Sequence, residues 1–158
     1  MEKRTTESVW DYPRPPRVEF FDGLIQVEHE GLRVAESSRT LRVLETSHPP
    51  AYYIPQADIL MERLYSTGNK SYCEFKGEAK YWGLSINGKR LPDLAWCYEN
   101  PRPGFEAITG HLAFFAGKVD ACYVDGEKVD PQAGDFYGGW VTSWISGPFK
   151  GGPGTHGW

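Results

Sequence analysis

The chain has 158 residues and a formal charge of −4, with 17 Lys and Arg against 21 Asp and Glu. That length suits one domain able to bury a core without staples, and the acidic balance excludes a general attraction to nucleic acid. Aromatic residues make up 15% of the chain and only two residues are Met, so the apolar material is rigid and flat and suits half-buried pleated surfaces.

The first segment runs through Pro13, Pro15 and Pro16 and is predicted to be extended rather than helical, anchored by Trp10 or Tyr12. Ile25, Val27 and His29 alternate with Gln26 and Glu28, which predicts a strand. Glu30-Gly31 reads as a turn and Leu32 to Glu36 as the return strand. Leu41, Val43 and Glu45 continue the period of two until His48-Pro49-Pro50 stops it, because proline cannot donate to a ladder. Ala51 to Ile54 is a short aromatic stretch, and Gln56 to Ile59 reads as one helical turn. Strands are predicted at Leu60 to Tyr65 and Tyr81 to Ile86. Asn87-Gly88 is the strongest hairpin signal in the chain, since a type I′ turn needs positive φ at both central positions. Leu94 to Tyr98 is the later partner strand. Phe105 to Thr109, between Gly104 and Gly110, is the best short helix. His111 to Phe115 and Val119 to Val124 read as strands, and Asp125-Gly126 as another turn.

Many short strands between Gly and Pro turns, with no long helical stripe and no βαβ alternation, predict a mainly β fold with one or two short helical turns. The predicted division is an extended arm at 1–17, a β domain at 18–133 and a tail at 134–158. The tail is glycine-rich but also holds Phe136, Tyr137, Trp140, Trp144, Phe149 and Trp158. A plain linker would lack those aromatics, so the tail is expected to cover a surface, either its own domain or a partner's.

Five segments in register resemble the family called domain of unknown function 427, found in bacteria, fungi and plants. They are WDYPRPPRVE, TLRVLETSHPPAYYIP, CEFKGEAKYWGL, AWCYENP and ITGHLAFFAGKVDACYVDGE, spanning about Val18 to Glu127. The ending GPFKGGPGTHGW looks like the extension carried by cyanobacterial and plant members. The resemblance implies a compact antiparallel fold similar to the β-tent or Mss4-like group. Many members of that group hold a structural zinc with two CxxC pairs; this chain has no CxxC, so that zinc is expected to be absent. The family has also carried a nucleotidyltransferase label. The chain lacks a Gly-Ser followed by an Asp-x-Asp pair, which that chemistry uses to hold metal and triphosphate.

Four constellations carry possible chemistry. In Glu45-Thr46-Ser47-His48-Pro49-Pro50 the prolines keep the chain extended after His48, whose imidazole could act as acid, base or ligand with Glu45 to orient it, or could simply bond its own turn. In Cys73-Glu74-Phe75-Lys76-Gly77, Gly77 permits close backbone approach and Lys76 could meet an anionic group as a point charge or be a solvated surface lysine. Cys73 could be a nucleophile if a base lowers its pKa, or a small buried hydrophobe. Tyr81 and Trp82 fall on opposite faces of a strand, so one belongs to the core and the other to a pocket wall. Trp96 and Tyr98 share a face, with Cys97 opposite, and make either core or the wall of a ligand slot. Glu106 and His111 could form an acid–base pair, or Glu106 could serve the helix start.

No close-spaced pair such as HxH, HxxxH or CxxC supports a metal, and Lys150 followed by Gly151 is not a phosphate loop; no metal or cofactor is expected. Three widely spaced cysteines suit a reducing compartment. The stretch MEKRTTESVW has no apolar core of a secretory signal, and no run approaches 18 apolar residues, so a cytoplasmic location without membrane or nucleic-acid partners is expected, as monomer or homodimer. The leading expectation is a small-molecule-binding β domain. Its pocket is walled by Tyr53, Tyr81, Trp82, Trp96 and Tyr98, with polar contacts from His48, Lys76, Glu106 and His111. The alternatives are a hydrolase or group transferase using His48 or His111 as acid–base with Glu45 or Glu106 as orienter and Cys73 as nucleophile, or an interaction module docking through the aromatic tail.

Overall fold

The structure, a computed structural model, describes residues 4–134 and 137–158; the tail aromatic Phe136 lies outside them. Fifteen strands follow in chain order among the described residues: β1 (Glu7–Ser8), β2 (Arg17–Phe20), β3 (Ile25–His29), β4 (Leu32–Ser37), β5 (Leu41–Leu44), β6 (Ala51–Tyr53), β7 (Leu64–Cys73), β8 (Gly77–Ile86), β9 (Lys89–Cys97), β10 (Leu112–Phe114), β11 (Ala121–Val124), β12 (Glu127–Lys128), β13 (Asp130–Pro131), β14 (Trp140–Val141) and β15 (Ile145–Ser146). Among the described residues, helical structure is confined to single 3-10 turns, including Val9–Asp11, Gln56–Asp58 and Glu106–Ile108.

The sheets order as β2-β5-β6, β10-β9-β8-β7 and β12-β11-β3-β4, with short pairs β13-β14 and β1-β15. The first two are joined where Ile54 and Leu112 exchange backbone hydrogen bonds of 2.8 and 2.9 Å. The result is one seven-stranded surface, antiparallel throughout. Its inner face supplies Leu44, Tyr52, Ile54, Leu84, Leu112 and Phe114 to the main core, which Ile25, Val27, Val34, Cys122 and Val124 complete from the opposing sheet. The alternate residues Val43, Tyr53, Trp96, Ala113 and Phe115 gather on the outer face as a second apolar cluster with Tyr98 and Ala79. A strand's period of two thus gives this sheet two apolar faces, and the outer one positions the site.

The tail does not lie apart. Trp140 is fully buried and donates its indole N–H to the Phe114 carbonyl at 2.9 Å. Trp144 stacks on Phe21, and Glu7 pairs in parallel with Ile145. Arg42, 7% exposed, ties this region together through Glu19 and Glu7 at 2.6 and 2.9 Å. Of the two expected anchors of the arm, Tyr12 is buried and Trp10 is 43% exposed.

Three sequence expectations need correction. The arm is not extended throughout, because Ser8 caps a 3-10 turn at Val9–Asp11. Leu60 to Tyr65 is not a strand: Met61–Arg63 forms a 3-10 turn, and the strand runs from Leu64 to Cys73. Its second half, NKSYC, is an exposed edge in which only one face meets apolar neighbours, so little alternation marks it. The partner of β8 begins at Lys89, straight after the Asn87-Gly88 turn whose φ values are 50° and 75°. Pro92 is accommodated there beside Asp93 at φ 59°, where the register shifts, as proline in a strand requires.

Candidate functional site

A cavity of about 490 Å³ lies on the outer face of the joined sheet, within the range of small-molecule sites. Its floor follows from strand register. Trp96 stands opposite Tyr81 on one side and Ala113 on the other. The ring of Phe115 packs on both, 4.5 Å from Trp96 and 6.3 Å from Tyr81, nearly parallel to the latter. Tyr53 continues the wall, its hydroxyl accepting the Trp96 indole N–H at 3.2 Å, and Tyr98 tilts against it at 6.3 Å.

The β7–β8 loop folds over this floor and brings Cys73, Glu74, Phe75 and Lys76 to the cavity. Gly77 closes the loop at φ 103°, with Arg102 3.3 Å from where a Cβ would stand; a side chain there would be both strained and crowded. The consequence is that Lys76, a residue type that is almost never fully buried without a partner, is only 8% exposed. Burial works against its charge, but Tyr53, Cys73 and Glu45 around it outweigh that and hold the ammonium above the ordinary lysine value. Its Nζ also lies 5.9 Å from the Tyr98 ring centroid. Among the described residues it has no ion pair.

His48 lines the same cavity. Its Nδ1 lies 3.0 Å from the Thr46 carbonyl and 4.0 Å from the Glu45 carboxylate. A carbonyl only accepts, so Nδ1 carries the proton and Nε2 keeps the lone pair. Burial lowers the imidazole pKa below its ordinary value; Glu45 and the Thr46 carbonyl oppose this, and Lys150 and Lys76 add to it. The Glu45 carboxylate stands 3.9 Å from Arg14.

Eight of the residues singled out from sequence therefore line one cavity: Glu45, His48, Tyr53, Cys73, Lys76, Tyr81, Trp96 and Tyr98. Three do not. Trp82 points to the other face of β8, packs on the main core and donates to the Cys97 sulfur at 3.3 Å. Glu106 accepts the Gly104 N–H at 2.8 Å. His111 lies outside the cavity with its Nδ1 3.2 Å from the Thr109 carbonyl. Sequence reasoning missed the tail's share. Tyr137, Gly138, Gly139, Lys150 and Trp158 all line the cavity, together with Gln132 just before the tail. Gly138 lies so close over Trp96 that an added Cβ would sit 2.2 Å from its ring, and the Tyr137 ring meets His48 edge-on at 5.2 Å. The aromatic density of the tail was the available signal, but it did not say which face the tail would cover.

Among the described residues no three His, Cys, Asp or Glu side chains gather as a metal site, and no helix is long and apolar enough to cross a membrane. No curated protein matches the chain. Residues 17–125 match the family model described as Domain of unknown function (DUF427). That span holds the joined sheet, the β7–β8 loop and His48, while Lys150 and the rest of the tail lie beyond it. The match covers more than half of the chain, and the chain belongs to the DUF427 family.

Proposed function

We propose that this protein is a small-molecule-binding β domain whose cavity takes a flat apolar ligand bearing an anionic group. The observation that carries the reading is Lys76. Lys76 keeps its charge while buried, with Glu45 nearby but no ion pair among the described residues; an anionic ligand supplies a direct partner. Tyr81, Trp96 and Phe115 offer the apolar surface such a ligand needs. The proposal holds for a monomer or a homodimer alike. The three free cysteines support a reducing, cytoplasmic compartment as part of the same proposal.

The test uses two probes that share a ring. 1-Naphthoate is expected to raise the melting temperature, and neutral 1-naphthol is not. Lys76→Met should abolish the naphthoate shift in a protein that still folds, because methionine keeps most of the apolar stem. Equal shifts from both probes, or a naphthoate shift that survives Lys76→Met, would overturn the reading.

A second reading, an acid–base hydrolase or group transferase, draws on one observation: Thr46 holds His48 with its Nε2 lone pair available, and Cys73 lines the same cavity. On this reading Glu45 is the orienting carboxylate, and the His111 and Glu106 pair has no part. Turnover of 4-nitrophenyl acetate that is lost in His48→Gln supports it, and turnover unaffected by that substitution counts against it. The docking-module reading gains no support, since Trp140 and Trp144 are spent on this chain's own core.

A further inference from the structure

Two ammonium groups reach the cavity from separate parts of the chain. Lys76 arrives on the β7–β8 loop, inside the family-matched span, and Lys150 arrives on the tail, outside it. Lys150 Nζ lies 5.6 Å from the Tyr137 ring centroid, and that ring packs edge-on against His48. Neither lysine has an ion pair among the described residues, and both line the cavity that His48 lines. Like charges converging on a poorly solvated site repel each other. The nearby carboxylates do not offset both: Glu45 faces Arg14 and His48, and Glu74 is exposed.

The type of cation narrows the anion. Arg14, the guanidinium at the cavity, already donates to the Thr46 and Trp158 carbonyls at 3.0 and 3.4 Å. Its Nη2 is thus engaged, and its Nε faces Glu45 at 3.9 Å. Two lysines act as point charges, which suits a tetrahedral phosphoryl group carrying close to two negative charges at neutral pH. The rings of Tyr81, Trp96 and Phe115 line the same cavity.

Resting on the anion-pocket reading, we propose that the ligand is an aromatic phosphomonoester, with its phosphoryl group held between Lys76 and the tail's Lys150 and its ring on the Trp96 wall. The tail is then a specificity-determining part of the site. His48 lines the cavity with Lys76, Lys150, Glu45 and the Tyr137 ring. A dianion arriving there favours the imidazolium, so binding should take up a proton.

Titration calorimetry of the full chain with 1-naphthyl phosphate, 1-naphthoate and inorganic phosphate tests this. Naphthyl phosphate is expected to bind about tenfold tighter than naphthoate, as a second nearby charge in a partly solvated site warrants. Lys150→Gln should remove that preference, weakening naphthyl phosphate about tenfold more than it weakens naphthoate. The variant should fold, because the backbone groups of residue 150 make its bonds to Ser47 and Gln132. Repeating the titration at pH 7.5 in buffers of different ionisation enthalpy should show proton uptake with naphthyl phosphate, absent in His48→Gln. Equal affinities for the two naphthyl probes, a preference that survives Lys150→Gln, or no proton uptake overturns the proposal. Inorganic phosphate binding as tightly as naphthyl phosphate overturns its aromatic part. If naphthoate does not bind the wild-type chain at all, the anion-pocket reading falls as well, and that outcome is distinct from the others.

Discussion

Single residues in this protein acquire their character from where the backbone puts them. His48 is an ordinary imidazole by sequence, and burial beside Lys76 and Lys150 makes it a reluctant base. The sign of the consequence is definite. With the folded pKa below the unfolded one, the unfolded chain binds more protons as pH drops through the ordinary histidine range, so stability falls from about pH 6.5 downward. Carboxylates held low by partners, such as Glu7 and Asp58, lose their contribution only at lower pH. Urea melts at pH 7.5 and 5.5 should show a loss for the wild type that is smaller in His48→Gln; an equal loss would contradict the cause given. Gly138 is the other decisive single residue. Gly138→Ala forces a Cβ into the Trp96 ring and should cost about 1–3 kcal/mol, with a matching red shift of tryptophan fluorescence as the tail lifts from the wall. A neutral effect on chemical denaturation would show that the tail can give way.

At the level of elements, the hairpins were the most legible features and the long strands the least. Asn87-Gly88 and Glu30-Gly31 both announce turns because positive φ at two consecutive positions admits few residue types, and both turns occur. Asn87→Ala should cost about 1 kcal/mol in equilibrium unfolding and leave ligand binding untouched, since the turn lies far along the strands from the cavity loop. A larger loss, or a change in naphthoate affinity, would mean that the β8–β9 register depends on the turn. Strand β7 was read too early and too short. Its outer half is polar and exposed, and only its partner β8 shows that it is a strand. The sharing of a face by Trp96 and Tyr98 followed from alternation alone. Whether that face was core or slot did not follow, because both faces of this sheet are apolar. The same ambiguity misplaced Trp82: alternation separates it from Tyr81 but does not say which of the two meets the cavity.

For the whole molecule, direct contacts tie the arm, sheets and tail together. Glu7 on β1 pairs with the tail and binds Arg42, while Trp140 fills the main core from the tail. Trp140→Ala should therefore cost about 3–5 kcal/mol, far more than a peripheral extension would forfeit, and the unfolding transition should stay single. A cost below about 1 kcal/mol by denaturant titration would mean that the tail folds independently of the sheets. The same coupling has a functional side. The family-matched span contains the floor of the cavity and one cation, and the tail adds a second cation and part of the wall, so changes in the tail alter the site directly.

The sequence by itself determined the mainly β class, the turns and the shared faces of neighbouring side chains, because these depend on backbone preferences and a period of two that operate over a few residues. It also supplied the segments that mark the family. Only the tertiary structure decided which of two apolar faces carries the cavity, that Glu45, His48, Cys73 and Lys76 meet there while Glu106 and His111 do not, and that Lys150 joins them. Those outcomes depend on the pairing of Ile54 with Leu112 and on the folding back of the tail. Such long-range contacts are selected by total burial and not by any local pattern.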